Sequence, residues 1–327
     1  MECLVDAHCH FQQQKIEFES HLRKQADGTK YYIMGTNYYD WADVASLARV
    51  YPKQVVPGFG IHPWFVNWVI KGEQLAKEST SANIHCPGNS NIKEAKAPSS
   101  IFDDKNQAIP VSWENTLIEY LEEFPDAIVG EFGLDRTAVD RETLVLYDWN
   151  KQVEIFYKQY KIAALNKRSV SLHCVRAHQQ LYDLLASIYP PKQKKPKPSH
   201  LNLDRNEQSI TAMVNCAAPV ANIMLHSYSG SAEMLVRFFK LPDIGRRIYI
   251  SLSQLVNMRS ANRTKLVVAK TPSDRILIES DIESPANAKT ALAEICCFLS
   301  SALQLPLDSV QYLTTNNALN FILPPSI

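Results

Sequence analysis

The chain has 327 residues, with 34 Lys and Arg against 34 Asp and Glu, 46% hydrophobic residues, 10 Gly and 7 Cys. That length and apolar content support a full core without disulfides or structural metal. A formal charge of zero excludes the overall basic footprint of non-specific duplex binders and leaves any nucleic-acid contact to a local site.

The N-terminal MECLVDAHCH enters a strand directly, without the basic start and apolar stretch of a signal peptide. No uncharged apolar run approaches the roughly 20 residues of a bilayer span. Seven irregularly spaced cysteines include no CxxC pair, so reduced thiols in the cytoplasm or nucleus are expected, without secretion or membrane insertion. Eight β-rich runs follow in order, at 4–8, 31–36, 55–60, 127–131, 169–173, 222–226, 247–251 and 275–281. Most are followed by a polar or Gly-containing loop and then a helical pattern. Trp113, Leu117, Leu121 and Phe124 recur at helical spacing, as do Val153, Phe156, Tyr157, Tyr160 and Ala164, then Leu181, Leu184, Leu185 and Ile188, and finally Leu292, Ile295, Phe298 and Leu299. This alternation predicts an α/β fold, a (β/α)8 TIM barrel formed by a single domain over 1–327. Two polar, apolar-poor stretches, about 72–109 and 190–207, break the rhythm and are expected to be surface insertions. The basic cluster between Lys192 and Lys197 is a solvated loop or a phosphate contact.

His8 and His10 lie two apart on the first strand, a chelate spacing that puts both on one face. Glu131, His173, His226 and Asp281 close the fourth, fifth, sixth and eighth runs. Active sites of such barrels are built at the carboxyl ends of the strands, so these groups should converge on one mouth. Six N and O donors exceed one tetrahedral zinc and suit two divalent ions bridged by a carboxylate, for which Glu131 is the candidate. One partition gives His8, His10 and Asp281 to one ion and His173 and His226 to the other. Asp281 can also take a proton from the attacking water. Zinc, manganese and magnesium are the candidate ions, with imidazole favouring the first two. Cys9 and Cys174 have the opposite strand parity and should face the helical layer, while Glu279 can orient a ligand histidine. Asp135 and Arg136 are expected at the rim.

The motifs VDAHCH, GIHPW, VGEFGLDR, SLHCVRAH, LHSYSG and ILIESD resemble, in order and over nearly the whole chain, the TatD-related deoxyribonuclease family of amidohydrolase-like barrels. The resemblance implies the same six ligands, with Glu131 and Asp281 at the centre of catalysis, and hydrolysis of DNA phosphodiesters, commonly from 3′ to 5′. It also implies that His62 and Arg176 lie near the scissile phosphate, where Arg176 can grip oxygens bidentately. The alternatives are a turn residue before Pro63 for His62 and a helix-start ion pair for Arg176. The family's last motif usually has Thr where this chain has Ser280, and Glu283 and Gln254 also depart from its pattern.

Those departures bear on substrate. A related hydrolase of a small ester, amide or phosphoester is the first alternative. The second is a scaffold: some fungal family members are described as interacting with a cell-cycle ubiquitin-ligase subunit, and the length and insertions of this chain are similar to that branch. A cell-cycle protein partner is therefore expected as a possibility beside DNA.

Overall fold

The computed structural model describes residues 4–24, 28–82, 107–140, 143–189 and 219–323. Eight strands pair in parallel and in chain order. They are β1 (Val5–Cys9), β2 (Lys30–Met34), β3 (Val55–Phe59), β4 (Ile128–Asp135), β5 (Val170–Val175), β6 (Ile223–Leu225), β7 (Ile248–Ser253) and β8 (Ile276–Glu279). The helices are α1 (Lys15–Lys24), α2 (Trp41–Val50), α3 (Val66–Ala82), α4 (Trp113–Glu123), α5 (Trp149–Leu165), α6 (His178–Ile188), α7 (Ala232–Phe239), α8 (Gln254–Asn257), α9 (Ala261–Lys270), α10 (Pro285–Leu303) and α11 (Leu307–Ile322). The last strand returns to the first, where the Asp281 amide donates to His8 O at 3.0 Å and the His10 amide to Ile282 O at 2.9 Å. This is the TIM barrel that the strand rhythm predicts.

Alternation along the strands divides the core in two. Tyr31, Ile33, Val55, Val129, Val170, Leu172, Ile223, Ile250 and Ile278 belong to a large cluster shared with the apolar stripes of the helices. Val5, Ala7, Tyr32, Met34, Ile128, Met224, Tyr249 and Leu277 form a second cluster with Ala318 and Phe321 of α11. Tyr32 Oη donates to Ala318 O, and Ser169 Oγ and Asn222 Nδ2 donate to Phe321 O, at 2.6 to 2.8 Å. Helix α11 thus closes the amino-terminal end of the barrel and leaves chemistry to the other.

Strand ends differ from expectation where it matters most. Strand β4 does not stop at Glu131 but runs to Asp135, with a register irregularity between Val129 and Phe132. Strand β1 carries another between Asp6 and Cys9. Strict alternation from Ile128 and Val5, both in the inner cluster, would turn Glu131 and His8 outward. Each irregularity inserts one residue and re-aims the next side chain, a common use of bulges beside active sites. His10 lies just beyond β1, at the start of a short 3-10 turn.

The start of the first predicted insertion, 72–109, is helical instead. Helix α3 continues through Gly72 to Ala82, and buried Ile109 donates its amide to Trp68 O at 2.9 Å. A Cβ on Gly72 would collide with the Ile109 carbonyl, so glycine is required there for close approach. The helix was hidden because its apolar face ends at Gly72, beyond which Leu75 and its neighbours are exposed. Residues 83–106 and the predicted insertion 190–207, with His85, Cys86, His200 and the Lys192 to Lys197 cluster, lie outside the described residues. No single helix among the described residues is long and apolar enough to cross a membrane.

Candidate metal centre

Glu131 is buried at the centre of the carboxyl-end mouth. Its Oε2 lies 3.3 Å from His8 Nε2 and 3.4 Å from His10 Nε2. Its Oε1 lies 2.8 Å from His173 Nδ1, 3.0 Å from His226 Nε2 and 3.3 Å from His62 Nε2. Asp281 Oδ1 is 3.7 Å from His10 Nε2. Four overlapping trios bring donor atoms within 4.8 Å of one another: His8, His10 and Asp281; His8, Glu131 and His226; His62, Glu131 and His173; and His226, Glu279 and Asp281. The first is the grouping expected for one ion. His173 and His226 meet through Glu131 Oε1.

The outer nitrogen of each ring sets what the inner one can do. His10 Nδ1 lies 2.9 Å from the Met34 carbonyl, which can only accept, so the neutral ring has a bare Nε2 facing the site. His226 Nδ1 is 3.2 Å from Glu279 Oε1 and likewise leaves Nε2 bare. His173 is reversed: Nε2 is 3.4 Å from Asp135 Oδ2, and Nδ1 faces Glu131. His8 Nδ1 pairs with Ser171 Oγ at 2.9 Å, an arrangement compatible with a free Nε2. His62 differs from all four. Its Nδ1 accepts the Trp64 amide at 3.2 Å, so the neutral ring carries its proton on Nε2 and presents a donor to Glu131.

Electrostatics draw the line differently, with His10, His173 and His226 raised and His8 and His62 lowered. Burial opposes the Glu131 charge, but the imidazoles of His226, His62 and His173 outweigh it and hold the carboxyl well below its usual range. Burial also opposes protonation of His10 and His226, yet Asp281 and Glu131 raise His10 to about 9, and Glu131, Glu279 and Asp281 raise His226 well above its ordinary value. Burial and the stacked His226 ring, 4.0 Å away, lower His8, and burial with His173 lowers His62 to about 4. The pocket thus draws positive charge toward its carboxylates. Divalent cations bound by bare imidazole nitrogens and ionised carboxylates satisfy that demand and displace the protons. The buried His and carboxylate clusters fit a two-ion centre.

Residues 5–322 match the family described as TatD related DNase. The chain belongs to the TatD-related DNase family. Membership places it among metal-dependent hydrolases. It is 29% identical over 322 residues to the Cut9-interacting protein scn1 of Schizosaccharomyces pombe, covering 92% of this chain and 93% of that protein. An uncharacterized deoxyribonuclease of Saccharomyces cerevisiae is 26% identical over 324 residues, covering 93% and 92%. The crystal structure of a TatD homologue from Escherichia coli superposes with a TM-score of 0.60 at 20% identity, covering 97% of each chain, and supports the fold.

The six expected ligands all meet at this mouth. His62 lies closer to them than its expected place beside a phosphate required. Arg176 is exposed, in a left-handed conformation with φ 51° at the end of β5, with no ion pair among the described residues. Cys9 and Cys174 pack in or against the cluster shared with the helices. Asp135 does more than shape the rim, since the same Oδ2 that faces His173 accepts the Trp64 indole N–H at 3.0 Å. Arg136 lies over the Trp149 ring.

Glu279 is fully buried and accepts from the Ser227 amide, Ser227 Oγ and Ser251 Oγ. Ser227 Oγ also reaches Asp281 Oδ2 at 3.2 Å. These serines, Ser171 and Asp6 were not singled out in the sequence. Ser171 shares the parity of His173 two residues on, a signal that could have found it.

Proposed function

We propose that the chain is a deoxyribonuclease that hydrolyses DNA phosphodiesters from 3′ to 5′ with two divalent ions. The convergence of four imidazoles and two carboxylates at the carboxyl end of the barrel carries this reading, and membership of a DNase family supports the substrate. Two bound cations would supply Lewis-acid charge and water activation at neutral pH. His8, His10, His173, His226, Glu131 and Asp281 would hold them.

The protein's own groups divide the remaining work. Glu131 stays ionised among the imidazoles. Asp281, which His226, His10 and His8 keep ionised against the effect of burial, accepts the proton of the attacking water. The His62 N–H, which faces Glu131 Oε1 in the free protein, turns to a phosphoryl oxygen when substrate binds, and Arg176 binds oxygens that do not react. Glu279 orients His226, and Asp135 orients His173.

The test is hydrolysis of 3′-labelled and 5′-labelled single-stranded oligonucleotides after chelation and after readdition of zinc, magnesium or manganese. Metal-dependent cleavage lost in Glu131→Ala is expected, with the labels reporting 3′ to 5′ direction. A folded, metal-binding protein that cleaves no DNA but hydrolyses a small ester or amide would replace this reading with the small-molecule one. A second reading, in which the barrel also binds a cell-cycle protein, is favoured by the similarity to scn1, named for interaction with Cut9. Co-elution of the full chain with a Cut9 homologue tests it, and separate elution ends it.

A further inference from the structure

Trp64 is 42% exposed, whereas Trp41, Trp68 and Trp113 are buried and Trp149 lies under the Arg136 guanidinium at 4.2 Å. A partly exposed aromatic side chain is ordinary on a protein surface. Trp64 is distinguished by how it is held and where. Its amide donates to His62 Nδ1 and its indole N–H to Asp135 Oδ2. The ring stands edge to face with His62 at 4.7 Å and with His173 at 6.3 Å. Both polar attachments are on the side of the metal centre, leaving a rigid apolar surface at the rim with little conformational entropy left to lose.

The rim around it carries both apolar and cationic side chains. Beyond β4, the chain turns back through the Val139–Leu146 bridge, with Leu144, Val145 and Leu146 exposed. The rim after β5 and β7 carries the exposed cations Arg176 and Arg263. Barrel order therefore puts Trp64 and the exposed Leu144, Val145 and Leu146 after β3 and β4, with exposed cations around the rim at Arg136, Arg176 and Arg263, after β4, β5 and β7. A nucleic-acid strand presents both matching chemistries, π-faced bases and phosphates. Stacking platforms bordered by basic residues suit single strands, because a paired base has its faces covered.

We infer that the exposed face of Trp64 stacks on the nucleobase adjoining the scissile phosphate. This rests on the nuclease reading above. His62 and Trp64 then act as a pair, the first donating to the phosphoryl group and the second holding the base. The same attachments keep the indole fixed before substrate arrives.

The experiment compares wild type, Trp64→Ala and Trp64→Phe on a single-stranded oligonucleotide and on the same oligonucleotide with abasic terminal nucleotides. Trp64→Ala should raise KM about tenfold on the normal strand with kcat nearly unchanged, and Trp64→Phe should keep most of the affinity. On the abasic strand wild type should show the raised KM, and neither variant should add to it. Equal KM losses on both strands overturn the inference. So does an equal kcat loss in both variants, which would make Trp64 a brace for Asp135 and His173.

Indole fluorescence separates this inference from the reading beneath it. If wild type cleaves no DNA with any metal, the nuclease reading fails. Quenching by the normal oligonucleotide, but not by the abasic one or in Trp64→Phe, would still uphold the stacking. Absence of quenching in wild type overturns it.

Discussion

Ser280 Oγ donates to Asp6 Oδ2 at 2.6 Å, joining residues 274 positions apart. The Ser280 amide donates to Asp6 Oδ1 at 2.9 Å, as the His8 amide does at 3.4 Å. One buried carboxylate thus holds the strand end before Asp281 and the one before His8 together, fixing two ligand-bearing segments at the junction of β1 and β8. Ser280→Ala should cost about 1 to 3 kcal/mol in denaturant unfolding, because it leaves a buried carboxylate short of a donor. Ser280→Thr should keep the hydroxyl and the stability. Equal losses in the two variants would show that packing, and not the hydrogen bond, matters here.

The barrel and its six donors were legible because β-rich runs recur eight times and most end in a residue with metal-binding chemistry. Strict alternation along the whole of β1 and β4 would have misplaced two of the donors, because each strand carries one inserted residue. Counted from Val5, Asp6 and His8 belong to one face, and counted from Ile128, Glu131 faces the helices. The irregularities in β1 and β4 let His8 and Glu131 reach the mouth while Asp6 turns to Ser280. The ligand-orienting partners were harder to read. Ser227, Ser251 and Met34 O act through hydroxyls and a carbonyl with no distinctive residue chemistry, and Glu279 was visible only through its place beside Asp281.

Glu279 sets the tautomer of His226 through a 3.2 Å contact with Nδ1. Glu279→Gln keeps the shape but replaces one acceptor oxygen with a donor among the N–H and O–H groups of Ser227 and Ser251. Metal affinity should weaken about 10- to 100-fold, as is typical when such a partner is lost. Titration of chelator-treated protein with zinc or manganese measures this, and unchanged affinity would remove Glu279 from the orientation of His226.

His62 and His173 both face Glu131 Oε1, but the hydrogen bonds on their far sides give them opposite roles. His62→Phe should therefore retain both ions by elemental analysis while lowering the rate about a hundredfold, the scale for losing one preorganised donor. His173→Phe should lose metal as well as activity. Depletion of metal in His62→Phe would mean that its Nε2 binds an ion in its deprotonated form, against the tautomer that the Trp64 amide selects.

Acid sensitivity should come in part from His178, at the start of α6. Its ring lies edge to face on Tyr228 at 5.3 Å and its buried Nε2 lacks a hydrogen-bond partner. Burial, with the charges of Arg263 and His173, lowers it to about 4. Between about pH 6.5 and 4 the unfolded chain then binds a proton that the fold refuses. Stability is fully present above that window and falls as pH falls through it, by up to about 3 kcal/mol for this group. His178→Phe keeps a ring against Tyr228 and removes the titration. The unfolding free energy of wild type minus that of the variant should stay level above about pH 6.5 and decrease below it. A difference that stays level down to pH 4 would mean that His178 accepts its proton within the fold, with Arg263 moving away to allow it.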